Sequence, residues 1–327
     1  MKKVLKFLNY LRNQDYFISM LMSILLFIFL AVSNPYFFTK GNLLSLQASI
    51  APNAIIAVGM MLLISMGVFD QSVGSIMGAS GILCAWMLNQ ELPIIVCILA
   101  SLVFGMVIGL INGLLVAKGK IIPLIATIGT MYTFRGLCFI MISSSASGNL
   151  YGFPQGFLNI GGSTFLGLYP MTWIMFILVI AVQYVIKCTY IGKRLYYIGG
   201  NPVSAQSLGF NVDRSLIGAF IVCGLLCALS GVLSVARFES ASRYLGDGIQ
   251  LQILIACIIG GGSFAGGKGD MLGALFGTVF VCLLKNCFNL FNLNPLLQSV
   301  ITGATLVVVV TIDSAMHLKK MRALGQV

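Results

Sequence analysis

The chain has 327 residues, 59% of them hydrophobic and only 8% charged, with a formal net charge of +11. A soluble domain carries about a quarter charged residues, so this composition excludes an ordinary globular enzyme and points to a helical membrane protein. The basic residues are scattered over several short loops and form no single face, which argues against nucleic acid as a partner and for contact with membrane lipid.

Ten apolar stretches read as transmembrane helices, at about 16–33, 44–66, 72–88, 93–116, 122–143, 168–188, 215–236, 249–263, 270–288 and 297–312. A helix needs roughly 20 such residues to cross a bilayer. The first stretch reads as a retained anchor, because no small-residue cleavage pattern follows it. The third and eighth are short and glycine-rich, so each reads either as a span or as a re-entrant, broken segment. With the N-terminus inside, Lys2, Lys3, Lys6, Arg12, Lys118, Lys120, Lys187, Lys193, Arg194, Arg214, Lys268, Lys319, Lys320 and Arg322 fall on the cytoplasmic side. The opposite side holds Lys40, Arg237 and Arg243. That asymmetry predicts ten crossings with both termini cytoplasmic, since dropping one short segment reverses every side after it. The whole chain, 1–327, then reads as one transmembrane domain, with an N-terminus at 1–15, a loop at 189–214 and a tail at 313–327 on the cytoplasmic side.

Asp70 ends the second span and precedes Ser72, Gly74 and Ser75. It is expected to cap the short helix that follows; the rival role is proton coupling. Arg135 lies inside a span, where it either orders neighbouring helices or lines the outer half of a pathway. Residues 144–167 carry no charge and are rich in Ser, Gly and Phe, as suits an outer loop over a pore mouth or a docking site. In the cytoplasmic loop, Asn201 is an N-cap, Pro202 a first helical residue and Gly209 a left-handed stop. About two turns of helix result, too short to stand alone and expected to expose Val203, Ala205 and Leu208.

Four spans from about 44 to 143 and four from about 215 to 312 flank one central helix. The groups begin an odd number of crossings apart, so as repeats they have inverted topology. Each holds a short glycine-rich segment in second place, a pointer to a pathway. Gly262–Lys268 fits the opening of a phosphate loop, but Gly269 follows where a hydroxyl is required, and the segment reads as a tight turn. Lys285 is expected to snorkel towards an interface.

Asn53, Thr127, Thr130, Arg135, Gln250, Gln252 and Asn286 are the pathway candidates, together with Gln47, Asn112, Asn289, Gln298 and Thr302. The same residue types also glue membrane helices together. The nine cysteines lie almost all in apolar stretches and His317 is the one histidine, so no metal site is expected. No catalytic constellation is present in the sequence, and no cofactor is expected on this chain.

Six sequence blocks run in order along the chain: Asn34-Pro-Tyr-Phe-Phe-Thr-Lys-Gly-Asn-Leu43, Asn53-Ala-Ile-Ile-Ala-Val-Gly-Met60, Asp70-Gln-Ser-Val-Gly-Ser75, Ala117 to Met131, the loop Tyr190 to Val212, and Gly260-Gly-Gly-Ser-Phe-Ala-Gly-Gly-Lys-Gly269. Together they resemble the ribose/galactose-type permeases of binding-protein-dependent ATP-binding-cassette importers. The resemblance implies an all-α permease without a catalytic site, in the cytoplasmic (inner) membrane of a prokaryote. It implies ATPase subunits that carry the ATP and Mg, a second permease copy or paralogue, and an extracytoplasmic solute-binding protein. Gly192, Gly199, Gly200, Asn201, Pro202, Ala205, Ser207, Leu208 and Gly209 would form the ATPase-coupling loop. The chain departs from the family at Gln250 and Gln252, where relatives often carry acids, at Gln206, where an Arg is common, and at Gln71. The solute reads as a pentose, a hexose or a related molecule. The rival readings are an ion-coupled secondary transporter and a membrane-embedded enzyme or scaffold.

Overall fold

The computed structural model describes residues 14, 16–143, 145 and 147–323. The expected cytoplasmic cations Lys2, Lys3, Lys6 and Arg12 lie outside the described residues, as do the side chains of His317, Lys319, Lys320 and Arg322. The described residues form thirteen helices and one short strand pair. In chain order the helices are α1 (Phe17–Ser33), α2 (Lys40–Ser65), α3 (Val73–Asn89), α4 (Ile94–Ala117), α5 (Pro123–Ile142), α6 (Gln155–Gly162), α7 (Pro170–Cys188), α8 (Tyr190–Gly200), α9 (Pro202–Ser207), α10 (Val212–Phe238), α11 (Ile249–Ile259), α12 (Met271–Leu290) and α13 (Pro295–Ala323). Strands β1 (Asn149–Leu150) and β2 (Ala241–Ser242) pair antiparallel. All ten apolar stretches fall on helices. Six of these, α2, α4, α5, α7, α10 and α12, are long and apolar enough to cross a membrane. The chain is an all-α, multi-pass membrane protein in its architecture.

Local signals set the helix starts. Thr39 Oγ1 accepts the Asn42 N–H at 3.4 Å, so α2 begins four residues before its apolar run. Pro123, Pro170 and Pro202 each occupy a first helical position, where a missing N–H costs no bond.

The centre of the molecule is built from α2 and α10, the most buried of the long helices, while α4, α5 and α7 turn most of their length outward. Lipid tails give apolar side chains no reason to leave them, so close backbone packing must supply the attraction. It does so along α4 and α10. A Cβ at Gly105 would overlap the Gly224 carbonyl, and one at Gly109 would overlap the Phe220 carbonyl. Further along this seam, Gly113 lies against Ile217.

The two glycine-rich segments differ. α3 has 17 residues and rises about 25 Å, nearly the hydrocarbon thickness. α11 has 11 residues and rises only about 16 Å. The expected stretch 249–263 is therefore helical only to Ile259, where Gly260 and Gly261 turn the chain, and it matches the interrupted alternative. The segment leading into α11 packs on α3: the Gly246 carbonyl fills the space a Cβ would need at Gly74, and the Leu245 carbonyl does so at Gly78. Within the loop, residues 147–167 are also structured, since Phe157 of α6 is fully buried and Gly161 lies on the backbone of Ala236 and Arg237.

Candidate functional site

The loop 189–214 is mostly helix. Its first half, where no helix was expected, is α8, started by Thr189 Oγ1, which accepts the Gly192 N–H at 3.3 Å. Three glycines in eleven residues hid it, because glycine is a poor helix former. They serve packing instead. Gly192 lies on the backbone of Ile186, and Gly199 lies on the Ser65 carbonyl at the end of α2. That carbonyl also accepts the Gly267 N–H at 2.9 Å, and the Tyr196 hydroxyl donates to the Gly269 carbonyl. The glycine-rich turn thus holds α8, a role its phosphate-loop likeness concealed.

Asn201 Oδ1 accepts the Ser204 N–H at 3.0 Å at the start of α9, and Gly209 closes it with φ 85°. Val203 and Leu208 are 75% and 71% exposed, but Ala205 is only 1% exposed. The expected exposure of Ala205 is corrected accordingly: it faces inward, where a methyl group fills the space behind a six-residue helix. Gly200 and Gly209 have open space around them, and Ser207 Oγ donates to the Val203 carbonyl at 3.2 Å. The outward side thus mixes apolar Val203 and Leu208 with polar Ser204, Gln206 and Ser207, and nearby the Tyr197 ring stacks on Phe210.

Three ion pairs brace this end. Lys187 Nζ lies 3.0 Å from Asp270, whose other oxygen accepts the Leu272 and Gly273 N–H groups at the start of α12. Lys118 and Lys120 both reach Asp213, at 3.4 and 3.0 Å.

Asp70 is fully buried. Its Oδ1 accepts both the Ser72 N–H at 2.7 Å and the Ser72 hydroxyl at 2.6 Å, and its Oδ2 accepts the Asn112 amide at 3.3 Å. Ser72 is the N-cap of α3, and its own side chain makes no capping bond. Asp70 thus sits two residues before the cap and ties the α2–α3 turn to α4, which differs from the direct capping expected of it. The neighbouring Gln71 N–H donates to Thr127 Oγ1 at 3.1 Å.

The pathway candidates do not share one site. Asn53 donates to Cys282 at 3.7 Å, and Asn286 and Asn42 exchange amide bonds at 2.7 and 3.4 Å. Thr127 and Thr130 are buried and bond to the backbone of their own helix. Gln250 reaches Met131 Sδ at 3.6 Å. Arg135 donates to the carbonyls of Leu245 at 2.8 Å and Arg243 at 3.3 Å, and so clamps the segment before α11. Only Gln252 of the seven lines a cavity of about 440 Å³ between α11, α12 and α13. Gln298, Thr302 and Lys285 line it too, along with Phe280 and Phe288. The signal for these aromatics was the i, i+4, i+8 stripe Phe280, Leu284, Phe288 on α12.

A family model described as a branched-chain amino acid transport system permease component matches residues 42–310. The chain belongs to this permease family. The ribose import permease protein RbsC of Haemophilus influenzae is 35% identical over 316 residues, covering 96% of each chain. RbsC of Escherichia coli K12 is 33% identical over 301 residues, covering 90% of this permease and 92% of the relative. The galactose/methyl galactoside import permease protein MglC of Haemophilus influenzae is 33% identical over 336 residues, covering 94% and 96%. No solved structure matches the permease.

Proposed function

We propose that this permease imports a sugar, ribose-like or a hexose, as the membrane subunit of an ATP-binding-cassette importer. The observation that carries the reading is the near full-length likeness to ribose and galactoside import permeases. A capped helix, α9, that exposes the large apolar side chains Val203 and Leu208 supports a docking role in the same complex.

In this reading the chain makes ten crossings as one domain in two inverted four-helix groups, with both termini and α8–α9 cytoplasmic. The long-helix count alone gives six, and the shorter apolar helices at Phe17–Ser33, Val73–Asn89, Ile249–Ile259 and Leu296–Thr305 supply four more. An ATPase subunit takes Val203 and Leu208 into a groove and supplies ATP, Mg and hydrolysis, while the permease contributes no catalytic group. A second permease copy or paralogue completes the pathway, and a solute-binding protein delivers the sugar outside. Nucleotide binding moves α9, and the Ser65–Gly199–Gly267 junction passes that movement to α2 and to the turn before α12. The permease has only to contact solute differently in its two states.

The test is labelled-ribose uptake into proteoliposomes that contain the permease and its ATPase, with binding protein outside. ATP inside is expected to drive uptake. Uptake driven by a proton or sodium gradient without any ATPase would overturn the reading in favour of a secondary transporter.

A further inference from the structure

The cavity between α11, α12 and α13 holds about 440 Å³, within the size range in which proteins enclose small molecules. Phe280 and Phe288 give it apolar surface, and Gln252, Lys285, Gln298 and Thr302 give it polar groups. Most of that polar capacity is uncommitted. The Gln252 amide makes no side-chain hydrogen bond among the described residues. Thr302 Oγ1 donates to the Gln298 carbonyl at 2.8 Å and keeps its lone pairs. Gln298 donates to Asn289 Oδ1 at 3.3 Å and to the Leu293 carbonyl at 3.1 Å, and keeps its Oε1. Amides and a hydroxyl beside aromatic rings suit a hydroxylated solute.

Lys285 adds something a neutral solute does not require. Among the described residues no carboxylate lies within 4.0 Å of its ammonium. The acids that form ion pairs are engaged elsewhere: Asp213 with Lys118 and Lys120, Asp270 with Lys187, and Asp247 with Arg135 at 3.9 Å. Asp247 is the nearest acid to the cavity in sequence, one residue before Gly248 on its wall, and its carboxylate is turned to Arg135. Lys285 is exposed on the wall of the cavity, and an ionisable residue of a transmembrane helix that faces a cavity is a mark of function.

We infer that this cavity is a subsite for a hydroxylated solute bearing an anionic group, a carboxylate or a phosphate. Lys285 holds the charge, and Gln252, Gln298 and Thr302 hold the hydroxyls. The inference rests on the import reading above and names the class of solute. A lipid headgroup carries the same anionic chemistry, and Lys285 lies close enough to the end of α12 for one to compete.

The test uses the full chain in nanodiscs of phosphatidylcholine, titrated calorimetrically with D-ribonate and with D-ribose. Ribonate is expected to bind at least about ten-fold more tightly, a difference a single well-placed charge can supply. Lys285→Gln should bring the two probes close to parity, Lys285→Arg should keep the preference, and Thr302→Val should weaken both probes together. Equal affinities, no binding of either probe at millimolar concentration, or a preference that survives Lys285→Gln would each overturn the inference. Adding phosphatidylglycerol separates the two anion sources. A preference that persists supports the solute, and one that anionic lipid abolishes assigns the ammonium to a headgroup and overturns it. ATP-driven ribose uptake by the assembled complex is measured in parallel. Preference without uptake removes the importer and leaves the subsite; uptake without preference does the reverse.

Discussion

Gly199 of α8 lies directly on the Ser65 carbonyl that ends α2, so close that a methyl group at Gly199 has no room. The same carbonyl takes the Gly267 N–H at 2.9 Å. One oxygen therefore joins three segments that are far apart in the sequence.

Gly199→Ala is expected to push α8 off this junction and destabilise the protein by about 1–3 kcal/mol, the usual cost of overpacking. Gly200→Ala, one residue on, meets nothing within 4 Å and should be nearly silent. Thermal unfolding in detergent, with ATP-driven uptake measured alongside, checks the pair. Equal effects at both positions would show that the junction is not what matters.

Val203→Asp and Leu208→Asp change exposed side chains on α9. Stability should stay within about 0.5 kcal/mol, as for most surface changes. Co-purification of the ATPase subunit should be lost. Retention of the ATPase by both variants would move the docking surface away from α9.

Asp270 has two duties, and substitutions separate them. Asp270→Asn retains an oxygen for the Leu272 and Gly273 N–H groups but loses the charge facing Lys187. Asp270→Ala loses both and should cost about 1–3 kcal/mol, mostly from the N–H groups left without an acceptor, since Lys187 is 45% exposed and stays solvated. A double-mutant cycle with Lys187→Met gives the pair's own share. A coupling energy near zero would mean that capping alone accounts for the loss.

Asp70→Ala leaves the Ser72 N–H and the Ser72 hydroxyl without their acceptor in a fully buried place, while the Asn112 amide keeps its 2.8 Å bond to Ser72 Oγ. Each orphaned group costs about 1–3 kcal/mol. The variant is expected to be expressed poorly or to melt at a much lower temperature than Asp70→Asn, which keeps one acceptor oxygen. Normal melting of Asp70→Ala would show that the tie between the α2–α3 turn and α4 contributes little.

Cys188 is the exposed cysteine, at the end of α7 beside α8. With α8–α9 cytoplasmic, a membrane-impermeant maleimide should label it in inside-out vesicles and leave it unlabelled in right-side-out ones. The opposite pattern would invert the proposed orientation.

Much of this architecture was legible because bilayer physics writes it in long runs. Ten apolar stretches all fall on helices, and Asn201, Pro202 and Gly209 carry the local chemistry of a short helix in their identities. What stayed hidden depends on distant partners. α8 was missed because its glycines look like loop residues until Ser65 and Ile186 are seen against them. Ala205 and Leu208 look alike in a pattern, yet one faces the protein and the other faces out. The polar residues inside spans were ambiguous for the same reason. Asn53 and Asn286 bond to neighbouring helices, while Gln252 lines the cavity, and nothing in their spacing separates them. Lys285 read as a residue near a helix end, and only the cavity beside it gives its charge a second meaning.

The seam between α4 and α10 limits where this protein can change shape. Gly105 and Gly109 set backbone on backbone with Gly224 and Phe220, and no side chain there can swing into a different rotamer to absorb a slide. The seam has no slack, so these two helices travel together as one rigid stave. Any rearrangement that opens the molecule first to one side and then to the other has to be taken up at other joints.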